Sequence, residues 1–278
     1  MRSRPTISLC LLLALAAGCA KPAPENRLRI LCGTSMAKPM QKIAKEFERA
    51  NAATVEFDLG GSETLLPKVL TSEPGDLYVC HDPFEAKVRA AGKLSSSVVP
   101  GWLSPIVVTA VGNPKKIRDW EDLLQPGLRL GIGDPRYSTC GEMFVGEARR
   151  RGLEEKLMRN VVMQARGHGE LATGVTVGSL DAAAVWNFVA PEYRGKVEKT
   201  AIAGDYPEVR VTVIGLAGST RPVLRDRFLQ WCRRGESLAA FSEHGYTRTT
   251  IGESQPVTAL EESLPAARTM ASNGSWHT

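Results

Sequence analysis

Short β-rich runs alternate with stretches of helical periodicity from residue 28 onward, and this alternation constrains the fold more than any other feature. It is typical of α/β folds in which helices cover both faces of a mainly parallel sheet. The chain has 278 residues, which is enough for two lobes with separate cores. The predicted strands are 28–32, 54–58, 76–80, 106–111, 129–132, 160–164, 182–186 and 210–216. The predicted helices are 36–50, 64–72, 84–91, 120–124, 139–151, 170–177 and 222–234.

Two prolines constrain where the first helices begin. Ser35 is a good N-cap, and it places Pro39 in the first turn, where a missing N–H is tolerated. Thr64 as N-cap does the same for Pro67 in the next helix. We therefore expect helix starts at these two residues.

Charge excludes one class of function. The formal net charge is +5, and the basic residues are spread along the chain without a long Lys/Arg block. We therefore expect no nucleic acid partner.

The N-terminus has the composition of an export signal. Arg2 and Arg4 precede an apolar run, residues 7–17, that is too short to span a bilayer. The run ends in Ala-Ala-Gly-Cys at Cys19, which resembles the bacterial lipobox, although Ala16 stands where that motif usually has Leu. We expect a signal peptide at 1–18, lipidation of Cys19, a polar tether at 19–27 and attachment to a membrane of the cell envelope, with plain secretion as the alternative.

The C-terminal tail and the remaining cysteines carry further expectations. Residues 249–278 lose periodicity, and we expect them to be disordered. The cysteines left after processing do not have the spacing of a zinc motif. Cys32 and Cys80 both end predicted strands; we expect buried free thiols, with a disulfide between them as the alternative.

Small polar residues follow the predicted strands at three points. Gly33-Thr34-Ser35 follows the first strand, residues 60–64 follow the second, and residues 133–141 follow strand 129–132. Ligands of open parallel sheets bind at the carboxyl ends of strands, where helix N-termini present unpaired N–H groups to anions. Each turn alone is weak evidence, but together they predict an anion site.

Five segments, in order, carry a resemblance to a known family. They are residues 28–36 (Leu-Arg-Ile-Leu-Cys-Gly-Thr-Ser-Met), 61–65 (Gly-Ser-Glu-Thr-Leu), 75–82 (Gly-Asp-Leu-Tyr-Val-Cys-His-Asp), 131–135 (Gly-Ile-Gly-Asp-Pro) and 241–246 (Phe-Ser-Glu-His-Gly-Tyr). Together they resemble the molybdate- and tungstate-binding proteins of ABC importers, over residues 28–248. The resemblance implies a two-lobed type II periplasmic binding protein fold.

The resemblance also implies a division of the chain. Lobe one comprises 28–105 and 213–248, and lobe two comprises 106–212. The chain would cross between the lobes near 106–113 and 207–213, and these crossings would form a hinge. The implied partners are an ABC permease and a small oxyanion, with a monomeric protein and no cofactor beyond the bound molybdate or tungstate.

Ligand-binding residues follow from the same resemblance. Hydroxyl and backbone N–H groups would come from lobe one, and backbone N–H groups from the helix starts of lobe two. Trp186 stands where the family has a tyrosine whose hydroxyl reaches the ligand. The implied site residues are Thr34, Ser35, Gly61, Ser62, Thr139, Cys140, His168, Gly169, Trp186 and Asn187.

Two carboxylates lie close to these turns in sequence. We expect Glu63 and Glu142 to point to solvent in the first turn of their helices, where negative charge is favourable. The alternative is that they coordinate a metal centre. His168 in its Gly-His-Gly turn is either a ligand donor or an exposed loop residue.

Other functions stay open as alternatives. The ligand could be sulfate, phosphate or iron, and the protein could be a sensory lipoprotein. An exported enzyme is a weaker alternative, because the sequence has no Gly-x-Ser-x-Gly elbow, no His-Glu-x-x-His and no P-loop.

Overall fold

The computed structural model describes residues 26–71 and 75–247. The signal segment, Cys19, most of the tether and the C-terminal tail lie outside these ranges. The described strands are β1 Arg27–Gly33, β2 Thr54–Gly60, β3 Leu77–His81, β4 Leu94–Leu103, β5 Pro105–Ala110, β6 Leu130–Gly133, β7 Val161–Ala165, β8 Ala182–Trp186, β9 Val197–Lys199 and β10 Val209–Leu216. The helices are α1 Ala37–Asn51, α2 Ser62–Thr71, α3 Phe84–Ala90, α4 Thr139–Arg150, α5 Glu154–Asn160, α6 His168–Thr176, α7 Val189–Glu192, α8 Pro222–Cys232 and α9 Gly235–Glu243, with 3₁₀ helices at Thr34–Met36 and Glu121–Leu124.

The strands form two sheets, one in each lobe, and the two-lobed α/β fold is confirmed. Within the described ranges, lobe one has the strand order β2-β1-β3-β10-β4 and lobe two has β7-β6-β8-β5-β9. The pairings of β1 with β2 and β3 are parallel, as are those of β6 with β7 and β8. Strands β10 and β5 run antiparallel to their neighbours, so each sheet is mixed where a mainly parallel sheet was predicted.

Apolar side chains cover both faces of each sheet. In lobe one, α1 buries Met40, Ile43 and Phe47, the helical face that its periodicity predicts, against one face of the sheet. Tyr78 and other side chains pack under α2 and α3 on the other face. No helix in the described part of the chain is long and apolar enough to cross a membrane.

The first crossing between the lobes comes earlier than predicted, whereas the return lies within the predicted crossing at 207–213. Strand β4 ends at Leu103 in the first sheet, and β5 begins at Pro105 in the second, so the first crossing is at Ser104. The return is complete at Val209, which pairs with Leu103 in the lobe-one sheet, whereas the predicted boundary was 213. The reason is that β10 pairs with β3 on one side and β4 on the other as soon as the chain reaches lobe one.

Asn187 holds the first crossing in place. Its side chain accepts a hydrogen bond from the N–H of Ser104 at 3.2 Å and donates to the carbonyl of Trp102 at 3.4 Å. Its own N–H donates to the carbonyl of Ser104 at 3.0 Å. Asn187 was predicted to lie beside the ligand, but its side chain is turned to the hinge backbone instead.

The first two helices begin differently from the prediction. Ser35 lies inside the 3₁₀ helix, and α1 follows from Ala37 with Met36 as its N-cap, so Ser35 does not cap it. Helix α2 begins at Ser62, because the N–H groups of Thr64 and Leu65 both donate to the carbonyl of Gly61. Pro67 therefore lies inside the helix, although the prediction placed it in the first turn.

The cysteines are free and buried within the described ranges, as expected for Cys32 and Cys80. Cys32 pairs with Val79 in the parallel register of β1 and β3, so Cys80 lies one residue further on. Because successive side chains of a strand point to opposite faces, the two thiols face different cores. This geometry explains why they do not form the disulfide considered as the alternative.

Candidate functional site

A cleft of about 560 Å³ lies between the lobes, at the carboxyl ends of β1, β2, β3 and β6 and beside the start of α6. This size is within the range of small-molecule binding sites. The predicted site residues that line it are Thr34, Ser35, Gly61, Ser62, Thr139, His168, Gly169 and Trp186. Residues separated widely in the sequence thus share one cavity, because parallel strands deliver their C-terminal turns to the same edge of each sheet.

The lobe-one wall is made by two turns that touch each other. A Cβ at Gly33 would lie 2.9 Å from the Oγ of Ser62 and 3.3 Å from the carbonyl oxygen of Val79, so only glycine fits there without displacement. The 3₁₀ helix that starts at Thr34 has Gly33 as its N-cap, and glycine has no side chain to satisfy the first N–H groups. Those N–H groups are therefore available to a ligand.

Buried tyrosines fix both turns from behind. The hydroxyl of Tyr78 donates to the carbonyl of Ser62 at 2.6 Å, and that of Tyr246 donates to the carbonyl of Ser35. Burial raises the pKa of each tyrosine, so both hydroxyls keep their protons as donors. The sequence gives no sign of these bonds, because each joins residues that are distant along the chain or on different elements.

The lobe-two wall contains the start of α4. Ser138 is its N-cap, and the Ser138 hydroxyl accepts from the N–H of Gly141 at 3.3 Å. Thr139 lines the cleft, while the Cys140 side chain is buried in the core and only its backbone is at the helix start. Burial raises the pKa of the Cys140 thiol, so it stays uncharged. Cys140 is not part of the cleft lining, so any contribution of this residue to a ligand is limited to its N–H.

Helix α6 supplies a second start on the same wall. Gly167 is its N-cap and cannot cap with a side chain, and His168 is its first residue. His168 is only 9% exposed, and its Nδ1 is buried with no hydrogen-bond partner among the described residues. The expectation of an exposed loop histidine is therefore wrong, because the ring is buried against Trp186 and Phe188.

Trp186 lies at the inner end of the cleft, where lobe one and lobe two meet. It is 2% exposed and packs with the lobe-one core, although β8 belongs to lobe two. Its ring centroid is 6.0 Å from that of His81 and 6.0 Å from that of His168. Its indole ring therefore closes the inner end of the cavity, at the position where the resemblance implied a tyrosine.

Two titratable residues at the cleft were not among the predicted ligand-binding residues. His81, at the end of β3, and Arg166, before α6, both line the cavity. Arg166 is exposed, and its guanidinium lies 3.9 Å from the ring centroid of Tyr137. The sequence signal for a histidine pair was the position of His81 and His168 after separate strands. Their proximity could not be predicted, because it depends on how the two lobes face each other.

Glu63 does not point to solvent as expected. It is half-buried, it lines the cleft, and its carboxylate folds back over Gly61, which has no side chain in the way. Glu142 lies outside the cleft lining and is half-buried; burial raises the pKa of its carboxyl, and the nearby Lys87 opposes the rise. No group of three or more His, Cys, Asp or Glu side chains in the described ranges is placed to hold a metal ion.

The cleft therefore combines helix starts, two of which have glycine N-caps, with hydroxyl groups and aromatic rings from two facing lobes. Oriented N–H and O–H dipoles of this kind suit a small anion and do not require a paired Lys or Arg. The lobes also meet through an ion pair at the cleft, in which the Nζ of Lys38 is 2.6 Å from the Oε1 of Glu192.

Residues 28–247 match the family described as bacterial extracellular solute-binding protein, and the chain belongs to that family. The molybdate-binding protein of Mycobacterium bovis is 24% identical over 223 residues, covering 79% of this chain and 84% of that protein. Solved structures are similar as well. The periplasmic molybdate-binding protein of Azotobacter vinelandii has a TM-score of 0.69 at 15% identity, over 80% of this chain and all of that one. The sulfate-binding protein of Mycobacterium tuberculosis has a TM-score of 0.67 at 18% identity, over 81% of this chain and 88% of that one.

The protein is thus a bacterial extracellular solute-binding protein. The relatives named here are described as molybdate-binding and sulfate-binding proteins.

Proposed function

We propose that this protein captures molybdate or tungstate in the interlobe cleft and delivers it to an ABC permease. One observation carries the proposal: helix starts from both lobes, at Thr34, Ser62, Thr139 and His168, line the same cavity. Each start presents N–H groups with a partial positive charge, which favours an anion at their common centre.

Uncharged donors also suit a protein that must release its cargo. The contacts would be the hydroxyls of Ser35 and Ser62, the N–H of Cys140 and an N–H at His168 or Gly169. Such bonds are weaker than a bidentate Arg–oxyanion pair, so opening of the lobes is enough to free the anion. Likeness to the molybdate-binding relatives supports the choice of ion.

Sulfate is the second candidate. The favouring observation is the similarity to the sulfate-binding structure, which matches this fold about as well as the molybdate-binding one does. Sulfate is also a tetrahedral dianion, and the same donors would serve it. Titration therefore has to choose between the two ions.

Isothermal titration of the purified protein with molybdate, tungstate, sulfate, thiosulfate and phosphate tests the proposal. We expect one site per chain, with molybdate and tungstate tightest. Ser62→Ala should weaken binding by roughly 10-fold or more, since a hydrogen bond to a charged group contributes about 1.5–3 kcal/mol. Ser242→Ala removes an exposed hydroxyl on α9 and is the matched control. Tightest binding of sulfate would transfer the assignment to the second candidate, and binding of none of these ions would end it.

We also propose that the mature protein is anchored to a membrane through acylated Cys19, which lies outside the described residues. The lipobox-like sequence before Cys19 supports this. Cells that express Cys19→Ser should release the protein from the membrane fraction and fail to label it with radioactive palmitate. Cys10→Ser, inside the apolar run, is the control and should leave both unchanged. Equal membrane retention of both variants would contradict the anchor.

A further inference from the structure

Two histidines face the cleft from opposite lobes. His81 ends β3 in lobe one, and His168 begins α6 in lobe two. Both line the cavity and are at least nine-tenths buried, with Trp186 between them. Buried imidazoles beside an anion site require an explanation, because a neutral ring has one donor and one acceptor while a dianion only accepts.

The hydrogen bond of His81 determines which of its nitrogens carries the proton. Its Nδ1 lies 2.7 Å from the carbonyl oxygen of Asp82. A carbonyl oxygen only accepts, so Nδ1 holds the hydrogen and donates it. In the neutral ring, Nε2 is then a bare lone pair. His81 can donate to an oxyanion from Nε2 only after it has gained a second proton.

If one proton is added to the histidine pair, the surrounding groups favour His81 over His168 as the residue that takes it. Burial and, to a smaller extent, a charge on His81 lower the pKa of His168 to about 4. Burial also lowers the pKa of His81, but the Asp82 carbonyl and the carboxylates of Glu63 and Asp82 oppose the change. His168 has no such acceptor for its buried Nδ1 among the described residues.

Several charged groups on the other elements around the pair have partners of their own, and Arg210 on β10 lies 3.0 Å from the Asp82 carboxylate. Lys38 on α1 and Glu192 on α7 pair with each other. Arg166 precedes α6 and stacks on Tyr137. Glu170, in the first turn of α6, is exposed and lies over Gly167. A bound dianion would therefore be the dominant new charge at the histidine pair.

We propose that the cleft binds its oxyanion together with one proton, which solvent hydronium supplies and His81 Nε2 accepts. The Nε2–H then donates to an oxygen of the anion, while Nδ1–H keeps its bond to the Asp82 carbonyl. His168 stays neutral and faces the anion from the other lobe. This inference rests on the proposed function, because it takes a tetrahedral dianion as the ligand.

The sign of the pH dependence follows from linkage. The anion raises the pKa of His81 in the complex above its value in the free protein. Affinity then increases as pH falls through the bound-state pKa, by up to about tenfold per pH unit, and levels off below the free-state pKa. A site made only of backbone N–H and hydroxyl donors would show no such slope near neutrality.

Calorimetric titration with molybdate and with sulfate, in buffers of low and high ionisation enthalpy at about pH 6.5, measures the protons taken up. We expect uptake approaching one proton per bound anion. His81→Gln should abolish the uptake. His244→Gln is the matched control, because His244 Nδ1 also lies 2.7 Å from a carbonyl, that of Ala240, but outside the cleft lining. It should leave the uptake unchanged.

NMR of the ring nitrogens in the wild-type protein gives a second readout that needs no variant. On addition of molybdate or sulfate, His81 Nε2 should change from the unprotonated to the protonated range. Binding without proton uptake, or uptake that persists in His81→Gln, would overturn this inference and leave the proposed function intact. If the wild-type protein binds neither anion in both buffers, the inference and the proposed function are both overturned.

Discussion

In lobe one, a buried tyrosine hydroxyl donates to the carbonyl of each cleft serine, whereas in lobe two the start of α4 is held by direct packing of backbone on backbone. A Cβ at Gly141 would overlap the carbonyl of Gly133, so the α4 start lies against the end of β6. The two tyrosines of lobe one come from segments distant along the chain, Tyr78 on β3 and Tyr246 after α9. The two walls should therefore respond differently to substitution.

The difference shows which kind of substitution should disturb each wall: an added side-chain atom in lobe two, and a removed hydroxyl in lobe one. Backbone packing is lost only by adding atoms, because no side chain can be removed from it. Hydrogen bonds from tyrosines are lost by removing a single oxygen.

Gly141→Ala should destabilise the protein by about 3 kcal/mol, because the added methyl group must displace the backbone of Gly133. Gly146→Ala is the matched control on the same helix, since a Cβ there meets nothing within 4 Å. It should raise stability by up to about 1 kcal/mol through helix propensity. Denaturant unfolding compares the two. Equal stability of both variants would show that the α4 corner is not tightly packed.

Tyr78→Phe should cost about 1–2 kcal/mol, because it leaves the buried carbonyl of Ser62 without its donor. Tyr193→Phe is the comparison in lobe two, where the Tyr193 hydroxyl donates to the Gly169 carbonyl at 3.3 Å in an exposed position. It should cost less than about 0.5 kcal/mol. Thermal unfolding measures both, and the lobe-one account is contradicted if the exposed bond proves the more important.

Glu63→Gln and Arg166→Gln should shift anion affinity in opposite directions. The first removes a half-buried negative charge from lobe one, and the second removes an exposed positive charge from lobe two. Each effect should be about 1 kcal/mol or less at low salt and should shrink as ionic strength rises. Molybdate titrations at low and high salt would test this. A shift of the same sign in both variants would disprove the charge assignment.

Lys38→Ala should have the smallest effect, since the ion pair with Glu192 is partly exposed. The pair joins α1 of lobe one to α7 of lobe two, so its loss should favour lobe opening and weaken molybdate binding less than about fivefold. Lys42→Ala is the control, because Lys42 pairs with Glu243 inside lobe one. Small-angle scattering with titration would show whether only the Lys38 variant opens.

Much of the fold could be predicted because its strands are short β-rich runs, and β1, β2 and β6 end in glycine. The turns at Gly33 and Gly61 lie in the cleft for this local reason. Strand β4 could not be predicted, since its sequence contains three serines followed by Pro100 and Gly101. It is a sheet edge with a register shift, where proline is tolerated.

The parts of the site that were missed depend on contacts between distant segments. Nothing local distinguishes a hinge asparagine from a ligand asparagine at position 187. The direction of Glu63 depends on the helix beginning at Ser62, two residues before the predicted cap at Thr64. The histidine pair exists only because the two lobes face each other across Trp186.

A crystal structure of the protein with bound molybdate is the most direct test of the account. We predict a single anion between the lobes, within hydrogen-bond distance of the Ser35 and Ser62 hydroxyls on one side. On the other side it should contact the N–H of Cys140 and an N–H at the start of α6. An anion held by one lobe alone, or located outside this cleft, would contradict the claim that the helix starts at Thr34, Ser62, Thr139 and His168 form one site.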